Sequence, residues 1–146
     1  MWTYRKLITT CFFLGALLLV SIPAAAEESV TVEVRAIAAT ADGEDCDRAL
    51  RRLCGRLQRG FGAYSHFRQI DRNSLRLGQG DSGELSLPTG NHLTLEFHGV
   101  TDDFVKLGLS IDDRLNTTLR ASPGSTFFQA GLSYGDGILI LAITVR

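Results

Sequence analysis

The chain has 146 residues, with 15 Lys and Arg against 16 Asp and Glu for a formal charge of −1. That length supports one modest core and leaves little room for a second domain. The first 26 residues carry two of the basic groups and none of the acidic ones, so without them the charge falls to −3, which offers no general attraction to nucleic acid.

The opening segment has the three parts of a cleavable secretory signal. Arg5 and Lys6 precede an apolar stretch from Leu7 to Val20, and Ala24, Ala25 and Ala26 supply the small residues of a cleavage site. The run from Cys11 to Val20 is shorter than the ~20 residues that span a bilayer, which favours cleavage after Ala26 over a retained anchor. Cys11 precedes most of the apolar run, so it does not read as a lipid-attachment cysteine. The expected organisation is a signal peptide over 1–26 and a single exported β-rich domain over 27–146, with no transmembrane helix after cleavage.

Val30, Val32 and Val34 alternate with Thr31 and Glu33 and continue into Ala36–Thr40, which predicts a first strand. Asp42, Gly43, Glu44 and Asp45 then break it. Cys46, Leu50, Leu53, Cys54 and Leu57 follow at spacings of three and four, predicting an amphipathic helix over about 44–59 that stops at Gly60 and Gly62. Arg48, Arg52, Arg56 and Arg59 form its opposite face, with Arg51 at the margin. That stripe is a candidate site for an anion or partner, such as lipid headgroups or a polyanion; the ordinary alternative is a solvated charged face.

Cys46 and Cys54 remain after export, into a compartment that would permit a disulfide. Eight residues of α-helix would hold them roughly 12 Å apart along the axis, beyond the ~7 Å that a disulfide tolerates. A continuous helix and this bond exclude each other. Placement of both cysteines on the apolar face favours buried thiols, with a broken helix plus disulfide as the next alternative and intermolecular bonding last.

Beyond the helix the pattern is strand and turn. Ala63–Ile70 leads to a polar break at Asp71, Arg72 and Asn73, then to Leu75 and Leu77, and Gly78–Gly83 reads as a flexible loop. Leu85 and Leu87 begin a hairpin that turns at Pro88-Thr89-Gly90 and returns through Leu93, Leu95 and Phe97. Further strands are expected at Val105–Ile111, Leu115–Leu119 and Thr126–Ala130. Ile138–Val145 is apolar without alternation, which places it in the middle of a sheet. The fold class is α+β, predominantly antiparallel β: a sandwich or partly closed barrel of about eight strands with one amphipathic helix packed against it.

Two motifs match enzyme signatures by letter. Gly78-Gln79-Gly80-Asp81-Ser82-Gly83 fits G-x-G-x-x-G, but a dinucleotide site needs a helix next, and Leu85, Leu87 and Pro88 follow instead. Gly131-Leu132-Ser133-Tyr134-Gly135 fits the hydrolase elbow, yet no histidine comes after Ser133 in the chain. His92, Glu96 and His98 share one exposed strand face as candidate metal ligands, at spacings of about 6.5–7 Å per alternate residue that need help from another strand. Asp102-Asp103 and Asp112-Asp113 bracket a strand that keeps them roughly 25 Å apart, too far for one calcium site. Asn116-Thr117-Thr118 fits a glycosylation pattern.

The stretch Leu115–Arg146, LNTTLRASPGSTFFQAGLSYGDGILILAITVR, resembles the closing β-segment of the secretin domain of type II and type III secretion channels. It shares the order of a threonine-containing strand, a glycine turn, a short strand, a glycine pair and a final apolar strand. The whole chain resembles small exported bacterial β-rich proteins of unassigned role. These likenesses imply a bacterial periplasmic or extracellular protein, accessory to a secretion or adhesion system. The reading is a non-enzymatic exported binding or assembly module of the cell envelope. It would partner another envelope protein or itself and use no cofactor; the alternative is a small metal-binding protein or enzyme built on His92, Glu96 and His98.

Overall fold

The computed structural model describes residues 28–146, so the expected signal peptide lies outside the described residues. Eight strands follow in chain order: β1 Ser29–Thr40, β2 His66–Gly78, β3 Ser82–Ser86, β4 His92–Thr101, β5 Phe104–Ile111, β6 Leu115–Ala121, β7 Thr126–Tyr134 and β8 Gly137–Val145. They form two four-stranded antiparallel sheets, ordered β2-β1-β8-β7 and β3-β4-β5-β6. The architecture is a sandwich and not a closed barrel.

Period-two alternation builds the core. Val30, Val32, Val34 and Ala36 of β1, with Leu139, Leu141, Ile143 and Val145 of β8, face Leu93, Leu95 and Phe97 of β4 and Val105, Leu107, Leu109 and Ile111 of β5. Full burial of a side chain of the Val, Leu or Phe type contributes about 1.5–3 kcal/mol, so this layer supplies most of the driving force. The two central strands of the first sheet are covered on their outer side as well. There Ile37, Ala39, Ile140 and Ala142 pack with Phe67 of β2 under Leu50 and Leu57. Coverage on both faces is why Ile138–Val145 carries no polar alternation, and β8 does lie between β1 and β7.

The covering segment differs from the expected helix over 44–59. A 3-10 turn spans Arg48–Leu50, and the α-helix, α1, begins only at Cys54 and ends at Gly60. Residues 45–47 are extended instead: Cys46 bridges Phe67, and the backbone is tied by Asp47 N to Phe67 O at 2.9 Å and Phe67 N to Asp45 O at 2.9 Å. Asp47 then caps the turn by accepting from Ala49 N at 3.1 Å. Its other oxygen accepts from Gln69 N at 3.2 Å. The chain doubles back, the Cα atoms of Cys46 and Cys54 come within 6.2 Å, and the two are disulfide-bonded. Buried thiols, the favoured expectation, are therefore replaced by the broken helix with a disulfide: the axial separation that argued against the bond belonged to a continuous helix.

Two further differences concern β2. Asp71, Arg72 and Asn73 do not break it; β2 is continuous with a register irregularity opposite Ala36 and Ile37. Polar residues are tolerated because β2 is an edge strand, and Asp71 accepts from both Arg72 N and Asn73 Nδ2. Nor is Gly78–Gly83 a loose loop. It is a tight corner between the sheets, with Asp81 N donating to Gly78 O at 3.0 Å and Gly80 N to Phe97 O at 2.7 Å. Ser82 and Gly83 already belong to β3.

Candidate functional site

The outer face of the β2-β1-β8-β7 sheet changes character along its strands. At the end covered by α1 the cross-strand rows are apolar, with Ala39 beside Phe67 and Ile138. At the other end the register sets Arg35 beside Arg72 and Ala142, Glu33 beside Ser74 and Thr144, and Thr126 beside Thr144. The 3-10 turn stands at the boundary. It walls off an open cleft of about 700 Å³ whose floor carries Arg35, Thr126 and Thr144, whose wall carries Arg48, Arg51 and Arg52, and whose rim includes Arg146.

Glu33 organises the floor. Its carboxylate accepts from Arg35 Nε at 2.8 Å and Arg72 Nη2 at 2.7 Å, and Arg146 Nη2 lies at 3.8 Å. Burial by itself pushes the Glu33 carboxyl up, but the hydrogen bonds and charges of Arg72 and Arg35 together outweigh it and hold the group below the ordinary carboxylate value. Arg35 also donates from Nη1 to Ala49 O at 3.1 Å, which joins the sheet to the 3-10 turn. The wall is different: among the described residues, Arg48, Arg51 and Arg52 form no ion pair within 4 Å.

The arginine stripe expected on one helix face is therefore divided. Arg48 and Arg52 line the cleft with Arg51. Arg56 turns to β7, donating to Thr126 O at 2.6 Å with its guanidinium 4.8 Å from the Phe128 ring centre. Arg59, in the last turn of α1, is outside the cleft. Arg35 and Arg146 belong to the site although sequence reasoning passed over them. The signal was the Thr31, Glu33, Arg35 alternation, which sends polar side chains to the face opposite the valines.

The three candidate metal ligands do not converge, although Glu96 and His98 are neighbours. His92 and His98 are six positions apart on β4, about 20 Å along a strand. His92 Nδ1 lies 3.3 Å from Glu84, whereas His98 Nδ1 lies 3.6 Å from Glu96. No cluster of three metal-ligating side chains occurs among the described residues. Asp102-Asp103 and Asp112-Asp113 sit at opposite ends of β5, in separate turns. Asp112 accepts from Asn91 Nδ2 at 2.6 Å and His92 N at 3.1 Å, which holds its carboxyl below the ordinary value and pins one turn to another.

Neither enzyme signature has its required helix: β3 follows Gly80, and Ser133 lies inside β7 near the turn into β8. No helix of the described residues is long and apolar enough to cross a membrane. No protein-family model, curated protein or solved structure matches the chain.

Proposed function

We propose that the chain is an exported, non-enzymatic binding module of the cell envelope that engages an anionic partner through the arginine-lined cleft. The observation that carries this reading is the accumulation of Arg35, Arg48, Arg51, Arg52 and Arg146 around one concavity whose one neighbouring acid, Glu33, is already engaged by Arg35 and Arg72. Such a patch focuses a positive potential even on a molecule whose net charge is negative. The Cys46–Cys54 disulfide supports export, because such bonds persist in oxidising compartments. The likeness of Leu115–Arg146 to a secretin segment favours a secretion or adhesion apparatus as the setting.

Retention of the purified exported chain on an immobilised sulfated polysaccharide at low ionic strength is the direct test. Retention should fall with added salt and disappear in the double variant Arg48→Glu, Arg52→Glu, while Arg59→Glu, outside the cleft, should still be retained. A wild-type chain that passes straight through would remove the reading.

A further inference from the structure

Resting on the cleft reading above, we infer that its ligand carries two or more clustered phosphate or sulfate groups. Three observations point to that chemistry. The first is charge. Five arginine side chains line the cleft and one carboxylate, Glu33, is paired with two of them, so the side chains leave an excess of four positive charges. A phosphate monoester brings about −1.5 to −2 near neutral pH, so two such groups match the excess, and a single carboxylate falls well short.

The second is the direction of the donors. Arg35 and the hydroxyls of Thr126 and Thr144 come up from a β-sheet floor, Arg48, Arg51 and Arg52 come from the wall, and Arg146 from the rim. A carboxylate offers two acceptor oxygens in one plane. A tetrahedral oxyanion offers three or more in different directions and can be held from floor, wall and rim at once. The cleft is also roomy for a lone ion, lying within the ~300–1,000 Å³ of pockets that take an organic ligand.

The third is preorganisation. Arg35 is only 21 % exposed, and its Nε and Nη1 are fixed by Glu33 and Ala49 O, while its Nη2 donates to no described residue. Thr126 Oγ1 and Thr144 Oγ1 are hydrogen-bonded to each other at 2.6 Å, which leaves one hydroxyl proton of the pair for a guest. The Cys46–Cys54 bond closes the segment that carries Arg48, Arg51 and Arg52. The floor donors, fixed in advance, lose little freedom on binding, and the bond steadies the backbone from which the exposed wall arginines reach.

Titration calorimetry on the oxidised exported chain tests the inference with tripolyphosphate, inorganic phosphate and benzenehexacarboxylate as probes. Tripolyphosphate should bind about tenfold or more tightly than either of the others, and Arg48→Glu with Arg52→Glu should weaken it about tenfold or more, while Arg59→Glu changes it by less than about twofold. An unchanged thermal midpoint in the double variant shows that the loss comes from the site. Equal binding of the hexacarboxylate would overturn the phosphate and sulfate assignment and leave the cleft as a general anion site. Absence of binding by every polyanion, or equal losses in the Arg59 variant, would overturn both. Cosedimentation with phosphatidylglycerol vesicles, competed by tripolyphosphate, would assign the groups to lipid headgroups; tripolyphosphate binding without cosedimentation would assign them to a free ligand.

Discussion

Glu33 is the only charged side chain buried among the described residues, at 3 % exposure, and it is held by partners that are themselves partly in water. Replacing it with glutamine keeps the shape but weakens two charge-assisted hydrogen bonds. Because Arg72 can be rehydrated, Glu33→Gln should cost about 1–2 kcal/mol in urea unfolding at neutral pH. The native carboxyl titrates below its unfolded value, so its contribution is complete above the unfolded value and drains away as pH falls through the native one. The variant should therefore lose less stability than wild type on acidification, and parallel profiles would refute this account. Glycine supplies a second residue-scale case. A Cβ on Gly137 would land on the Ala39 carbonyl oxygen, so Gly137→Ala should lower unfolding stability by about 3 kcal/mol, and a wild-type urea midpoint would show that β1 and β8 yield there. The cleft wall was legible at this scale, since Arg48 and Arg52 stood out as a stripe with Arg51 at its margin, whereas Arg35 and Arg146 join it only through strand pairing.

Among the elements, those specified by neighbours in sequence were legible and those specified by distant partners were not. β4 and β5 announce themselves by alternation, and the Pro88-Thr89-Gly90 turn by its composition, with Gly90 at φ +88°. The Cys46–Leu57 periodicity instead suggested one helix, because Leu50 and Leu57 do share a buried face. What divides it is the attachment of residues 45–47 to β2, some twenty positions downstream, which no local pattern records. The disulfide closes that short segment, and in the loop-entropy account a closure of this size contributes about 2–3 kcal/mol. Cys46→Ala with Cys54→Ala should lower unfolding stability by that amount and weaken tripolyphosphate binding, since the two ends of the arginine wall then lose the covalent tie between them. Unchanged affinity would mean that Leu50 and the Asp47 cap hold the wall unaided.

At the scale of the whole molecule, β1 and β8 form the central pair of one sheet although almost the entire chain separates them. Local hairpins such as β4–β5 can form early, but the two-sided core around Ile37 and Ile140 waits for the last strand. Folding dominated by such distant pairing is slow, on the order of milliseconds to seconds. A chain stopped at Asp136 should show no cooperative urea transition, and a sharp one would mean that β1 finds its core without β8. The same pairing joins the two ends of the described chain. Thr31 and Arg146 exchange both backbone hydrogen bonds at 2.8 Å, so Ser29 and Val145 leave from one pole of the sandwich. Tension applied between those ends would peel β1 from β8 rung by rung, starting at the Thr31–Arg146 pair beside the cleft.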